Sequence, residues 1–171
     1  MAIRARQLTV SLPFGLGQIT FEPNEAEQRA AWEMFVELET RVATQPLDPD
    51  HGLLREALDS LHELFEITRE ILKKHGPDIA NGEQSVGTIS IQVLNEGLRD
   101  FNAKWHPRLL EHEALITPTT SVVAHERAWK HYEAMRRELE EKQDALRQYA
   151  DALAKISGAR LPDPPKQDEA V

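Results

Sequence analysis

Between Leu53 and Leu72 the chain carries two adjacent apolar stripes at helical spacing: Leu54, Leu58, Leu61, Phe65 and Leu72 on one, and Leu53, Ala57, Leu64, Ile67 and Ile71 on the other. One stripe satisfies a surface helix with a single neighbour. Two side by side form a face that needs more than one, so this helix is predicted to lie at the centre of a helical packing. Its start is predicted at Asp48, with Pro49 at the first helical position. Its end is predicted where Lys73, Lys74, His75 and Gly76 precede Pro77, because cations and a glycine suit a helix C-terminus.

The flanking segments agree with this centre. In "RQLTVSL" and "QITFE" apolar residues alternate with polar ones around "PFGLG", which predicts a short β-hairpin that must lean on something else. Asn24, three residues before Glu27, has the spacing of a capping box and predicts a helix over 25–44, with Ala31, Phe35, Leu38 and Val42 as core and Trp32 beside them. "GPDIANGEQSVG" reads as a loop. A third helix is expected from Thr88 to Trp105, stopped or kinked before Pro107. A long fourth helix is expected from Ser121 to Ile156, with its seam at Tyr132, Met135, Leu139, Leu146, Tyr149, Leu153 and Ile156 and its end at Gly158.

The predicted fold is all-α: an antiparallel four-helix bundle with a short N-terminal β-hairpin, a kinked third helix and a long fourth helix. One domain is expected over 1–158, with 1–22 as hairpin and 24–158 as bundle. Residues 159–171 form a Pro-rich acidic tail expected to be disordered.

The chain's 171 residues are enough for a core without disulfides, and none is available because cysteine is absent. The N-terminal stretch is too polar for a signal peptide, and no run is long enough to span a membrane. The expected location is cytoplasmic. A formal charge of −9 disfavours general binding to nucleic acid or acidic lipid.

Beside the apolar stripe of the third helix runs a polar one, Gln92, Asn95, Arg99, Asn102 and His106, spaced three, four, three and four. As structure, this is a helix face whose amides and guanidinium satisfy neighbours, with His106 as an anchor at the Pro107 joint and Trp105 as core. As function, it is a candidate binding face. The seven histidines offer neither Glu-x-x-His nor His-Glu-x-x-His, and Glu111, His112 and Glu113 diverge round a helix, so no metal site or cofactor is expected. Gly97 inside the third helix points to a close approach by another helix. Because the fourth helix is expected to outrun the others, Arg136, Arg137, Leu139, Leu146, Tyr149 and Leu153 are the candidate surface for a protein partner or a second copy.

Two resemblances accompany these readings. Arg99 and His106, with six residues between them near a helix end, resemble the Arg-x4-6-His motif of HEPN-domain ribonucleases. That likeness implies metal-independent RNA cleavage, with Arg99 stabilising phosphate charge and His106 as general acid or base. Asp100 departs from the polar amide common in that family. The runs "AAWEMFVELETRVATQPLD", "LLREALDSLHELFEITREIL" and "VLNEGLRDFNAKWHPRLLEHE" resemble a family of uncharacterised bacterial helical proteins, with a link to conflict or antiphage systems and no implied activity. The expected function is a non-enzymatic helical protein-interaction module. The ribonuclease is the alternative.

Overall fold

Alternation in the first two apolar runs produces the expected strands, β1 (Leu8–Leu12) and β2 (Gly17–Phe21), in a computed structural model that describes residues 7–160. The expected tail from 161 onward and the first six residues lie outside that range. The described chain is mostly helical, with this antiparallel hairpin and five helices. Val10 pairs with Ile19 and Leu8 with Phe21, so the apolar residues of both strands share one face. That face packs on the last helix. At the turn Phe14 holds a left-handed φ of 58°, unfavourable for a bulky side chain. Tertiary packing fixes it: the Phe14 ring occupies the space beside Gly97, where an added Cβ would lie 2.5 Å from ring carbons. The close approach predicted at Gly97 is thus made by the hairpin turn and not by a helix.

Helix α1 (Glu25–Glu39) starts at the predicted capping box: the Asn24 side chain accepts from the Glu27 N–H at 2.8 Å, and Glu27 accepts in return from the Asn24 N–H at 2.9 Å. It ends before residue 44. There the chain turns into a short 3-10 segment, Val42–Thr44, and then crosses the last helix. The predicted start of the second helix is also corrected. The Asp48 carboxylate accepts from the Asp50 and His51 N–H groups, making one isolated turn, and α2 (Leu54–His75) begins only after Gly52. Both predicted stripes of α2 turn inward, between α1 and the third helix, and the Gly76 cap ends the helix as expected.

Helix α3 is continuous through Val86–Gln92, a π-helical turn at Val93–Leu98, and Arg99–Glu113. Of the two outcomes expected at Pro107, a stop or a kink, the stop does not occur. A proline removes one N–H and disfavours the residue before it without forbidding the helix, and Trp105 and Leu109, buried on either side, hold the segment in place. The helix also carries an irregularity in its π turn, the segment against which Phe14 packs at Gly97.

The single helix expected over 121–156 divides into α4 (Val122–Arg127) and α5 (Tyr132–Ser157). Between them tight turns bond Trp129 N to Glu126 O at 3.1 Å and Tyr132 N to Trp129 O at 2.9 Å, and both Glu126 and Trp129 point inward. Helix α5 packs along α1 over most of its length, and its seam is buried from Tyr132 to Ile156. One polar cluster sits inside this packing. Ser90 Oγ contacts the Tyr149 hydroxyl at 2.8 Å and donates to Val86 O at 2.6 Å, and burial pushes the Tyr149 phenol above its ordinary value.

Candidate binding cleft

The expected partner surface on α5 is corrected in most of its residues. Leu139, Leu146, Tyr149 and Leu153 are core residues between α5, α1 and the hairpin. Arg136 donates to the Leu47 carbonyl at 3.0 Å, while Gln143 and Arg147 donate to Gln45 O and Thr44 O. The polar side of this helix therefore secures the crossing between α1 and α2, whose carbonyls face α5 without sheet or helix partners. Of the six residues, only Arg137 is fully exposed.

The polar face of α3 is only partly preserved. A π turn holds about one residue more than an α turn, so Gln92 is displaced round the axis from Arg99, Asn102 and His106. Arg99 donates to Asn95 at 3.2 Å, and its guanidinium lies 5.9 Å from the Phe65 ring centre. His106 is exposed, with its ring 6.5 Å from that of His62 and its Nδ1 3.5 Å from Arg55. Within one chain, then, the cation nearest His106 is Arg55. Arg99 is two turns away, about 10 Å along the axis. Both amide atoms of Asn102 are buried without a partner among the described residues.

What the structure does assemble lies at the far end of the same helix, where α2 begins, α3 ends and α4 crosses. The first N–H groups of α2 need acceptors, and Leu53 offers no side-chain cap. Glu126 of α4 supplies both, accepting from Leu54 N at 2.7 Å and Arg55 N at 3.3 Å. Its carboxyl sits above the ordinary range, chiefly because burial disfavours the charge, with the Glu113 charge adding to the effect. Arg55 then grips Glu113 of α3 with two bonds of 2.8 Å.

The other tie is a pair of histidines. His112 and His125 stack with centres 4.0 Å apart and planes 8° apart, and each Nε2 lies 2.7 Å from the other's backbone carbonyl. A carbonyl only accepts, so both Nε2 atoms must carry a proton. Trp129 stacks on the outer side of His112, and His131 meets Trp129 and Trp105 edge-on. Trp105 is fixed by its Nε1–H, which donates to Glu138 at 2.9 Å.

Over this aromatic floor opens a cleft of about 610 Å³, lined by Arg108, Glu111, His112 and Leu115 from α3 and its exit and by Ala128, Trp129, Lys130 and His131 from the turn into α5. The neighbouring Lys104 and Arg127 are paired with Glu138 and Asp50. Arg108 and Lys130 have no carboxylate within 4.0 Å among the described residues, in a chain of formal charge −9. Leu115, which lines the cleft, is 72% exposed, and Ile116 next to it in the chain is exposed as well. Cation and apolar surface together at one mouth fit a partner that is both acidic and apolar.

In the sequence His112 stands out only as a residue that cannot chelate a metal together with Glu111 and Glu113, and nothing there marks Trp129 as part of a site. A usable signal was present: aromatic and histidine residues are dense on both sides of the "TPTTS" turn. Turning it into a site requires knowing that the chain folds back there. Among the described residues no group of three or more histidine and carboxylate side chains is placed to hold a metal ion, and no helix is long and apolar enough to cross a membrane.

Comparison of the chain with protein-family models, with curated proteins and with solved structures gives no match. The two resemblances read from the sequence therefore rest on their residues alone.

Proposed function

We propose that the chain is a non-enzymatic protein-interaction module whose α3–α4 corner docks an acidic, apolar surface of a partner. Helices α1, α2, α3 and α5, read as an antiparallel bundle, serve as its frame. The observation that carries this reading is the conjunction, in one cleft, of Arg108 and Lys130, both without a carboxylate within 4.0 Å among the described residues, with the exposed Leu115, followed in the chain by the exposed Ile116. Exposed apolar side chains grouped in this way mark interaction sites more often than isolated ones do.

The test is fluorescence anisotropy with a labelled synthetic helix of glutamates and leucines at helical spacing. Binding is expected to weaken at least tenfold in Arg108→Glu/Lys130→Glu and in Leu115→Asp, and to fall with added salt. Absence of binding, or binding that ignores all three substitutions, overturns the reading.

One arrangement favours a second reading as a ribonuclease. Arg99 and His106 are both exposed on α3, and the amide of Asn102, which lies between them in the sequence, is buried with no partner among the described residues. Because Arg99 and His106 stand two turns apart, this reading requires a second chain to unite them. RNA cleavage that persists in chelator and is lost in both Arg99→Ala and His106→Ala supports it, and intact RNA disposes of it.

A further inference from the structure

The surface of this protein that best matches the corner is its own. We infer that the corner of one copy docks on the α1–α2 groove of a second copy, head to tail. The inference rests on the corner being a docking site, and it names the partner.

The groove has the opposite character to the corner. It is a depression of about 380 Å³ in which Glu33, Glu37, Glu70 and Lys74 surround Trp32, Val36 and Ile67. Glu33 is paired with Lys74 and His75 and Glu37 with Arg41, so the lining is acidic on balance and Glu70 is its carboxylate without a cation within 4.0 Å among the described residues. The depression that adjoins it shares Glu37 and holds Glu63, which is paired with Arg41 at 3.0 Å. Trp32 is 44% exposed although aromatic, and stacking on Phe35 at 5.7 Å holds it in place. A tryptophan fixed on the surface before binding loses little freedom when it is buried, which suits an interface anchor. Its natural complement is a mouth that supplies guanidinium and ammonium groups over an aromatic floor, and the corner has Arg108, Lys130 and Trp129.

The two patches cannot meet within one chain. The corner is tied to Leu54 at the start of α2. The groove is lined by Glu70, sixteen residues further along that helix. At ~1.5 Å per residue the separation is about 24 Å. Because the patches are unlike, the contact between copies is heterologous and generates rings or open chains of subunits. Its charge component makes it sensitive to ionic strength.

The experiment is sedimentation velocity on the full chain over a hundredfold concentration range, in low and high salt, with two charge and anchor variants. Arg108→Glu/Lys130→Glu removes the corner, and Trp32→Ala/Glu70→Lys removes the groove; all four residues are exposed. Wild type is expected to grow in mass with concentration at low salt and to dissociate at high salt. Each variant alone is expected to stay monomeric, and an equal mixture of the two to form a one-to-one dimer and nothing larger, because one intact corner meets one intact groove. A monomeric wild type at low salt, or variants that associate as wild type does, overturns the inference. If the Glu/Leu helix still binds the corner in that case, self-association alone is lost. If the helix also fails to bind, the proposed function falls with it.

Discussion

The starts of α1 and α2 solve the same problem with the same kind of group and differ in where that group comes from. Each helix start must satisfy N–H groups that lack intrahelical acceptors, and a buried glutamate takes part in each solution. At α1 the solution is local, Asn24 and Glu27 bonding each other's backbone across one turn. At α2 the acceptor is Glu126, 72 residues away from Leu54 along the chain. A local cap stabilises one helix. A remote cap also fixes the angle at which two helices meet, so its loss reaches the packing between them. Glu27 does a little of both, since its second oxygen accepts from Val86 N at 3.2 Å and joins the start of α3 to that of α1.

The comparison is tested first by removing the remote acceptor. Glu126→Ala leaves the Leu54 and Arg55 N–H groups unpaired in a buried setting, with an expected loss of about 3 kcal/mol in urea unfolding. The same variant should reduce binding at the cleft, because α4 and its turn form one wall of it. A loss below about 1 kcal/mol would mean that α2 finds another cap and that the contrast with α1 is illusory.

Glu27→Ala, which frees both Asn24 N and Val86 N, ranks next at about 2 kcal/mol. Asn24→Ala, which removes the local cap, should cost about 1 kcal/mol and leave cleft binding unchanged. If Asn24→Ala weakens the cleft as much as Glu126→Ala does, caps at the two ends are not separable in the way described.

The smallest effect expected is one of pH. The folded Glu126 carboxyl binds its proton more tightly than its ordinary value of 4.5, because it is buried. Its contribution to stability is therefore fully present below that value and is lost as pH rises through the raised one. Glu126→Gln has no such slope. The stability of wild type relative to this variant should accordingly be greater near about pH 4 than near about pH 7, as read from paired urea unfolding curves. The reverse order would show that the Leu54 and Arg55 N–H groups outweigh burial.

Much of the architecture was legible from local chemistry. The hairpin alternation, the Asn24–Glu27 box, the wide apolar face of α2 and the Gly76 cap are each set by residues within a turn or two of one another, and each stands where expected. The misjudged places share a different property. Asp48 and Pro49 have the chemistry of a helix start, yet Asp48 bonds Asp50 and His51 in a lone turn and α2 waits for Leu54. The periodicity of α5 runs on into α4, yet the chain breaks at 128–131 so that Glu126 and Trp129 both face inward. The leucines of α5 satisfy a partner-surface pattern as well as a core pattern, and burial alone tells the two apart.

The sequence by itself thus determined the helices, the hairpin and most of the core stripe, because helical periodicity and capping are short-range effects of neighbouring side chains. Only the tertiary structure decided that Glu126 caps α2, that Phe14 covers Gly97, that His112 and His125 clasp two helix ends, and that a cationic, apolar cleft opens beside them. Each of these pairs residues from separate elements, and the free energy of such a contact depends on the packing that brings its members together.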